Sequence, residues 1–165
     1  MTKMSYEEAD KSLHENISIS MLNEIAKDQK KFRDSKGSIK LDLPKTDIKV
    51  KDQKVLVLPQ LLSESREMVS EIMVLAGRVI AQYSIENNIS MPYLSQAPGK
   101  FSEEIIENIN NLSLSKAFEA AKGFSRSKLS VTPSMHSGLG LEAYIRVTSP
   151  MRRYLDLVVQ QQLIN

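Results

Sequence analysis

The chain contains no cysteine. That excludes a disulfide framework and thiolate chemistry, and it fits the cytoplasm, which is the expected location. No uninterrupted run approaches the roughly 18 apolar residues of a membrane helix. The first ten residues, from Met1 to Asp10, turn polar and acidic at once, so no secretory signal is expected there. A charge excess is missing too: 22 Lys and Arg against 20 Asp and Glu leave +2. Any nucleic-acid binding must therefore come from a local patch and not from a generally basic surface. Carboxylate clusters are equally scarce. Asp42, Asp47 and Asp52 are spaced by fives, and no two aspartates lie within four residues of each other. Glu103, Glu104 and Glu107 form an acidic face that reads as solvated surface, so no metal ligand set is expected in the chain.

What is present suits one soluble domain, or a piece of one, in 165 residues. There is no internal repeat, low-complexity tract or dividing linker. Ser5 and Glu8 have the spacing of a capping box at a short helix start. Ile19 to Phe32 places Met21, Leu22, Ile25, Ala26 and Phe32 on one helical face, and Gly37 ends that helix. Ile39, Leu41 and Leu43 alternate with polar residues up to Pro44. Ile48, Val50, Val55 and Val57 suggest further strands about a turn near Asp52-Gln53, giving a small antiparallel meander. The long helix is expected from about Glu64 to Glu86, with an apolar set broad enough to be largely buried. After an extended loop at Met91-Pro92-Tyr93, closed by Pro98-Gly99, shorter helices are read over Phe101–Leu112 and Ser115–Phe124. A serine-rich loop from Ser125 to Ser137 carries Arg126 and Lys128.

The tail, His136 to Leu163, is the most informative stretch. Gly138 and Gly140 permit a sharp turn or a close approach. Ala143, Ile145 and Val147 alternate with Tyr144, Arg146 and Thr148 as in a half-buried strand. Ser149 reads as an N-cap with Pro150 at the first helical position. Arg152 and Arg153 then stand beside free backbone N–H groups at the positive end of a helix, a ready anion site. Either arginine could instead pair with Asp156.

The string H-x-G-L-G-L-x-x-Y-x-x-x-T-S-P-x-R-R-Y-x-D-L-V-V resembles the end of the RNB catalytic domain of the ribonuclease II and ribonuclease R family. Ser5 to Asp10, Gly37 to Pro44, and Ser65 to Met73 resemble further family segments; Phe101 to Thr132 matches none. The resemblance implies an α+β fold, with helices around a small, mostly antiparallel sheet. It also implies that residues 1–165 are the C-terminal part of a single RNB domain, truncated at both ends. Such enzymes hydrolyse single-stranded RNA processively from the 3′ end with magnesium, releasing nucleoside 5′-monophosphates. Their acidic metal-binding cluster lies nearer the start of the domain, so this chain alone is not expected to cut RNA. No membrane or obligate protein partner is expected.

The resemblance also implies roles for particular residues. Arg152 matches an arginine that approaches the scissile phosphate and would stabilise charge growing in the transition state. Glu71 matches a glutamate that helps recognise the 3′-terminal nucleotides; a salt bridge with Arg66 or Arg78 is the structural alternative. Arg153, Tyr144, Thr148 and Ser149 are further expected RNA contacts. Asp156 and His136 are expected behind them, Asp156 orienting an arginine and His136 hydrogen-bonding to backbone. Tyr154 is expected in the core with Leu157 and Val158. Leu41, Gly77 and Leu94-Ser95-Gln96 depart from residues common in the family. The rival readings are an inactive RNB-like protein that holds RNA without cleaving it, and an interaction module in which the arginines only cap and pair.

Overall fold

The Ser5 hydroxyl accepts the Glu8 N–H at 3.2 Å and the Glu8 carboxylate accepts the Ser5 N–H at 2.6 Å, the reciprocal box that starts α1 (Tyr6–Ser12). The computed structural model describes residues 3–41, 46–51, 53–59, 63–102, 105 and 113–164. Most of the expected helix Phe101–Leu112, with Glu103, Glu104 and Glu107, lies outside the described residues, as do Asp42, Leu43, Pro44 and Asp52. The α+β class holds.

Helix α2 (Ile17–Ser35) is capped by the Asn16 side chain, and α3 (Glu64–Glu86) by Ser63. These two pack side by side, through only part of the expected apolar faces: Ala26 and Met68 are buried together. Met21, Leu22 and Ile25 are exposed, and beside Ala26 helix α2 buries the polar Asn23, Gln29 and Arg33. The reason is that α3 presents carboxylates along the contact: Glu64 takes Asn23, Glu67 takes Lys30, and Glu71 takes Arg33. The line that α3 buries likewise includes Ser65, Glu71, Gly77 and Ser84, while Val69 and Val79 stay exposed. By length and composition α3 could cross a membrane. Its buried glutamate, matched by a buried arginine on α2, fits a core helix instead.

In place of the expected meander there is one hairpin, and a second two-stranded sheet forms elsewhere in the chain. β1 (Thr46–Lys51) pairs antiparallel with β2 (Lys54–Pro59), across a turn in which Gln53 takes a positive φ of 60°. Residues 39–41 are not in a strand. The second pair joins β3 (Tyr93–Ser95) to β4 (Lys128–Ser130), so the serine-rich loop contains an unexpected strand. Helix α4 (Leu114–Gly123) falls close to its expected place.

The main core gathers Ala81 from α3, Met91 and Tyr93 from the β3 approach, and Ile145, Val147 and Val159 from the tail. Leu13, Ala26 and Met68 form a second cluster between α1, α2 and α3. The tail from 143 to 148 makes only an isolated bridge, Tyr93 to Ile145, instead of a full strand. Ile145 is held from the other side by α3, its N–H donating to the Gly77 carbonyl at 3.4 Å. Gly77 is required at that crossing, because a Cβ there would collide with the Ile145 carbonyl and the Tyr144 ring.

Candidate nucleic-acid interface

Helix α5 (Tyr154–Ile164) begins four residues later than Pro150, its expected first position. Ser149 to Arg152 forms a separate turn, closed by the Arg152 and Arg153 N–H groups donating to the Ser149 carbonyl at 3.2 and 3.0 Å. Proline's fixed φ suits the second position of such a turn as well as it suits the start of a helix, so the sequence signal was ambiguous. The capping relation is also reversed. Asp156, fully buried in the first turn of α5, accepts the Ser149 N–H at 2.9 Å.

The same Asp156 oxygen, Oδ2, accepts the Arg153 Nε and Nη2 donors at 3.0 and 2.6 Å. Arg153 Nη2 also reaches Thr148 Oγ1 at 3.4 Å. Of the two options open for Arg153, pairing with Asp156 is the one the structure displays. Thr148, Ser149, Arg153 and Asp156 thus form one unit that fixes the turn. Arg152 differs: it is exposed, donates to Ser149 Oγ at 3.3 Å, and forms no ion pair among the described residues. Its guanidinium stands next to the positive end of α5.

Tyr154 is 77% exposed, contrary to the core position expected of it. The late helix start explains this. Helix α5 buries Asp156 and Val159, and Tyr154 lies about 200° around the helix from Asp156, at roughly 100° per residue. Tyr144 is the tyrosine that packs: its ring lies over Gly77 and edge-on to His136, with centroids 5.7 Å apart. Burial pushes the Tyr144 phenol above its usual pKa.

The glycine turn forms as a 3-10 turn, Ser137–Leu139, with Gly140 at a φ of +64°. His136 bonds to backbone, but with its main chain: its N–H donates to the Leu141 carbonyl at 2.8 Å. The imidazole is buried and its Nδ1 has no hydrogen-bond partner among the described residues. Burial, reinforced by the charge of Arg146, holds the His136 pKa below its usual value.

Glu71 lies 5% exposed on α3. Both of its oxygens are engaged by Arg33, Nε to Oε2 at 2.9 Å and Nη2 to Oε1 at 2.5 Å. Neither of the alternative partners, Arg66 and Arg78, reaches it. Arg66 sits over the Tyr6 ring, and Arg78 over the Phe32 ring while donating to Gln29. Arg33 uses its last nitrogen to hold the Leu139 carbonyl at 3.2 Å. It therefore ties α2, α3 and the glycine turn together. Sequence reasoning missed it; the one available signal was its place seven residues after Ala26, on the same helical face. The exposed Arg146 was also passed over as an ordinary alternation partner.

Among the described residues, no group of three or more His, Asp or Glu side chains could hold a metal ion. The donor set for a catalytic cation is not found in them.

The model of the RNB domain matches residues 1–165. An uncharacterized ribonuclease of Synechocystis is 34% identical over 168 residues, covering 98% of this chain and 25% of that protein. The solved structure of Mycoplasma genitalium RNase R with ribose-methylated single-stranded RNA superposes with a TM-score of 0.80 at 20% identity. That match covers 97% of this chain and 32% of the other. Yeast Ssd1, described as a pseudonuclease, has a TM-score of 0.64 at 16% identity, covering 97% of this chain and 25% of the other. The chain thus spans about a quarter of the length of the curated relative.

Proposed function

The chain belongs to the RNB domain family, and from that membership we propose that it is part of a hydrolytic 3′→5′ exoribonuclease acting on single-stranded RNA in the cytoplasm. Nucleoside 5′-monophosphates would be the products. The observation that carries this reading is Arg152, an exposed guanidinium without an acidic partner among the described residues, on a turn held in place by the Asp156, Arg153 and Thr148 side chains. Its role is to bind a backbone phosphate and to offset the charge that grows on it during hydrolysis. Arg153 and Asp156 act behind it, keeping Ser149 and the turn in position. A ribose contact at Glu71 would have to share a carboxylate already filled by Arg33. In this reading the pair positions the glycine turn.

Magnesium would supply the activated water and charge neutralisation in such an enzyme. The described residues do not make a site for it, so its ligands are assigned to residues other than these.

The test uses the natural-length protein with end-labelled single-stranded RNA. Arg152→Ala should lower kcat by about 10²- to 10³-fold, the usual effect of removing one transition-state donor, and Arg152→Lys should restore part of the loss. Equal cleavage and equal affinity in both variants would remove Arg152 from the site. A second reading, RNA binding without cleavage, draws on the likeness in fold to a pseudonuclease. Wild-type protein that binds the RNA but releases no mononucleotide with magnesium present would establish it.

A further inference from the structure

A small pocket opens beside the arginine turn. Its volume is about 210 Å³. Pro92 and Leu94 form part of its wall, with Leu129 from β4 and Leu155 from α5. Arg146 and Tyr154 stand at the same pocket, and both are exposed. The Arg153–Asp156 pair completes the lining. Pro92, Leu94 and Leu129 lie outside the tail string, and Leu155 and Arg146 occupy positions that the string leaves open.

Three properties narrow the occupant. The first is size. Sites for whole small molecules usually enclose about 300–1,000 Å³, so this volume suits one ring of a larger ligand. The second is chemistry. Apolar walls beside an exposed tyrosine favour a flat, weakly polar group, and base–aromatic stacking tolerates any base. The third is charge. Arg146 is a cation at the rim and makes no ion pair among the described residues, so the flat group should be joined to an anion.

The geometry points to a nucleotide subsite: one unpaired base of the RNA strand enters this pocket between Leu129 and Tyr154, with its phosphate at Arg146. This rests on the reading of the chain as RNA-binding, and it adds a place where the strand is gripped by a base instead of only by its backbone. A grip of this kind needs no base identity, as degradation of varied RNA requires.

The experiment uses single-stranded oligonucleotides carrying 2-aminopurine at successive positions, added to natural-length protein. Stacking in the pocket should quench the probe at one position. The variants are Leu129→Glu and Tyr154→Ala, both at exposed positions, with folding checked by circular dichroism. Each should abolish that quench and weaken RNA binding about tenfold, the order expected from losing one stacked base. Arg146→Ala should weaken binding while leaving a residual quench. RNA that binds wild type and both pocket variants alike, with the same quench, would overturn the subsite and leave the RNA reading intact. A parallel arm titrates adenosine 5′-monophosphate and follows the Leu129 methyl signals by NMR. If wild type fails to bind RNA but the mononucleotide shifts Leu129, the RNA reading falls and the subsite stands. If neither ligand has any effect, both are overturned.

Discussion

Arg33 and Glu71, 38 positions apart in the chain, meet through two parallel hydrogen bonds at 2.9 and 2.5 Å, with both side chains buried. This pair does more than join α2 to α3. The remaining guanidinium nitrogen holds the Leu139 carbonyl, so the position of the glycine turn depends on a charge placed on a different helix. Removing either partner strands the other as an unpaired buried charge. Arg33→Met and Glu71→Leu should each cost about 3–5 kcal/mol, whereas the double variant should recover most of that loss. Urea unfolding of the four proteins as a double-mutant cycle measures this. Additive losses would show that the two charges are not coupled.

Two glycines should respond to alanine for opposite reasons. Alanine at a helix interior normally gains up to about 1 kcal/mol over glycine. At Gly77 that gain should be outweighed by the clash with Tyr144 and Ile145, giving a net loss of about 1–3 kcal/mol. At Gly37 a Cβ meets nothing within 4 Å, but φ is +79°. There the cost should be about 1–2 kcal/mol from backbone strain alone. Thermal melts would give both values, and tryptic cleavage in the tail should increase only for Gly77→Ala.

Glu67 should shape the acid limb of the stability curve. Hydrogen bonds from Lys30 and Lys40, both at 2.7 Å, hold its pKa down to about 2 from a usual 4.5. A carboxylate with a depressed folded pKa stabilises the fold above the unfolded value. That contribution should disappear as pH falls from about 4.5 through about 2. Glu67→Gln should flatten the curve in this window and leave its shape above pH 5 unchanged. Because the group is 37% exposed, added salt should reduce the difference. Urea midpoints measured across this pH range would reveal it.

Arg152 should show up in the salt dependence of RNA binding. Each phosphate contact on a single strand contributes a slope of about 0.7 in log K against log salt. Arg152→Ala should reduce the slope by roughly that amount, while Tyr154→Ala should leave it unchanged because stacking releases no counterion. Equal slopes in wild type and Arg152→Ala would mean that Arg152 does not meet a phosphate.

Much of the layout was legible from short-range chemistry. The capping box at Ser5 and Glu8, the extent of α3 and the left-handed Gly140 depend on residues a few positions apart, whose preferences act locally. The tail was harder. Pro150 fits a turn as well as a helix, and only the buried Asp156, claiming the Ser149 N–H from seven residues away, decides between them. That choice also turned Tyr154 outward. The polar face of α2 was invisible for a related reason. Periodicity selects apolar residues for the core, and Arg33 is buried only because Glu71 meets it there. The pocket lined by Leu129 and Arg146 depends on the β3–β4 pairing, which the serine-rich composition concealed.

The contact from Arg33 to Leu139 has a further consequence, for timing. The ion pair with Glu71 closes 38 positions of chain, and the bond to the Leu139 carbonyl closes 106. For flexible loops the longer closure costs roughly 0.9 kcal/mol more. The helical pair can thus assemble early and offer a fixed guanidinium to which the tail docks afterwards. Undocking in the reverse order would release the glycine turn while α2 and α3 remain together.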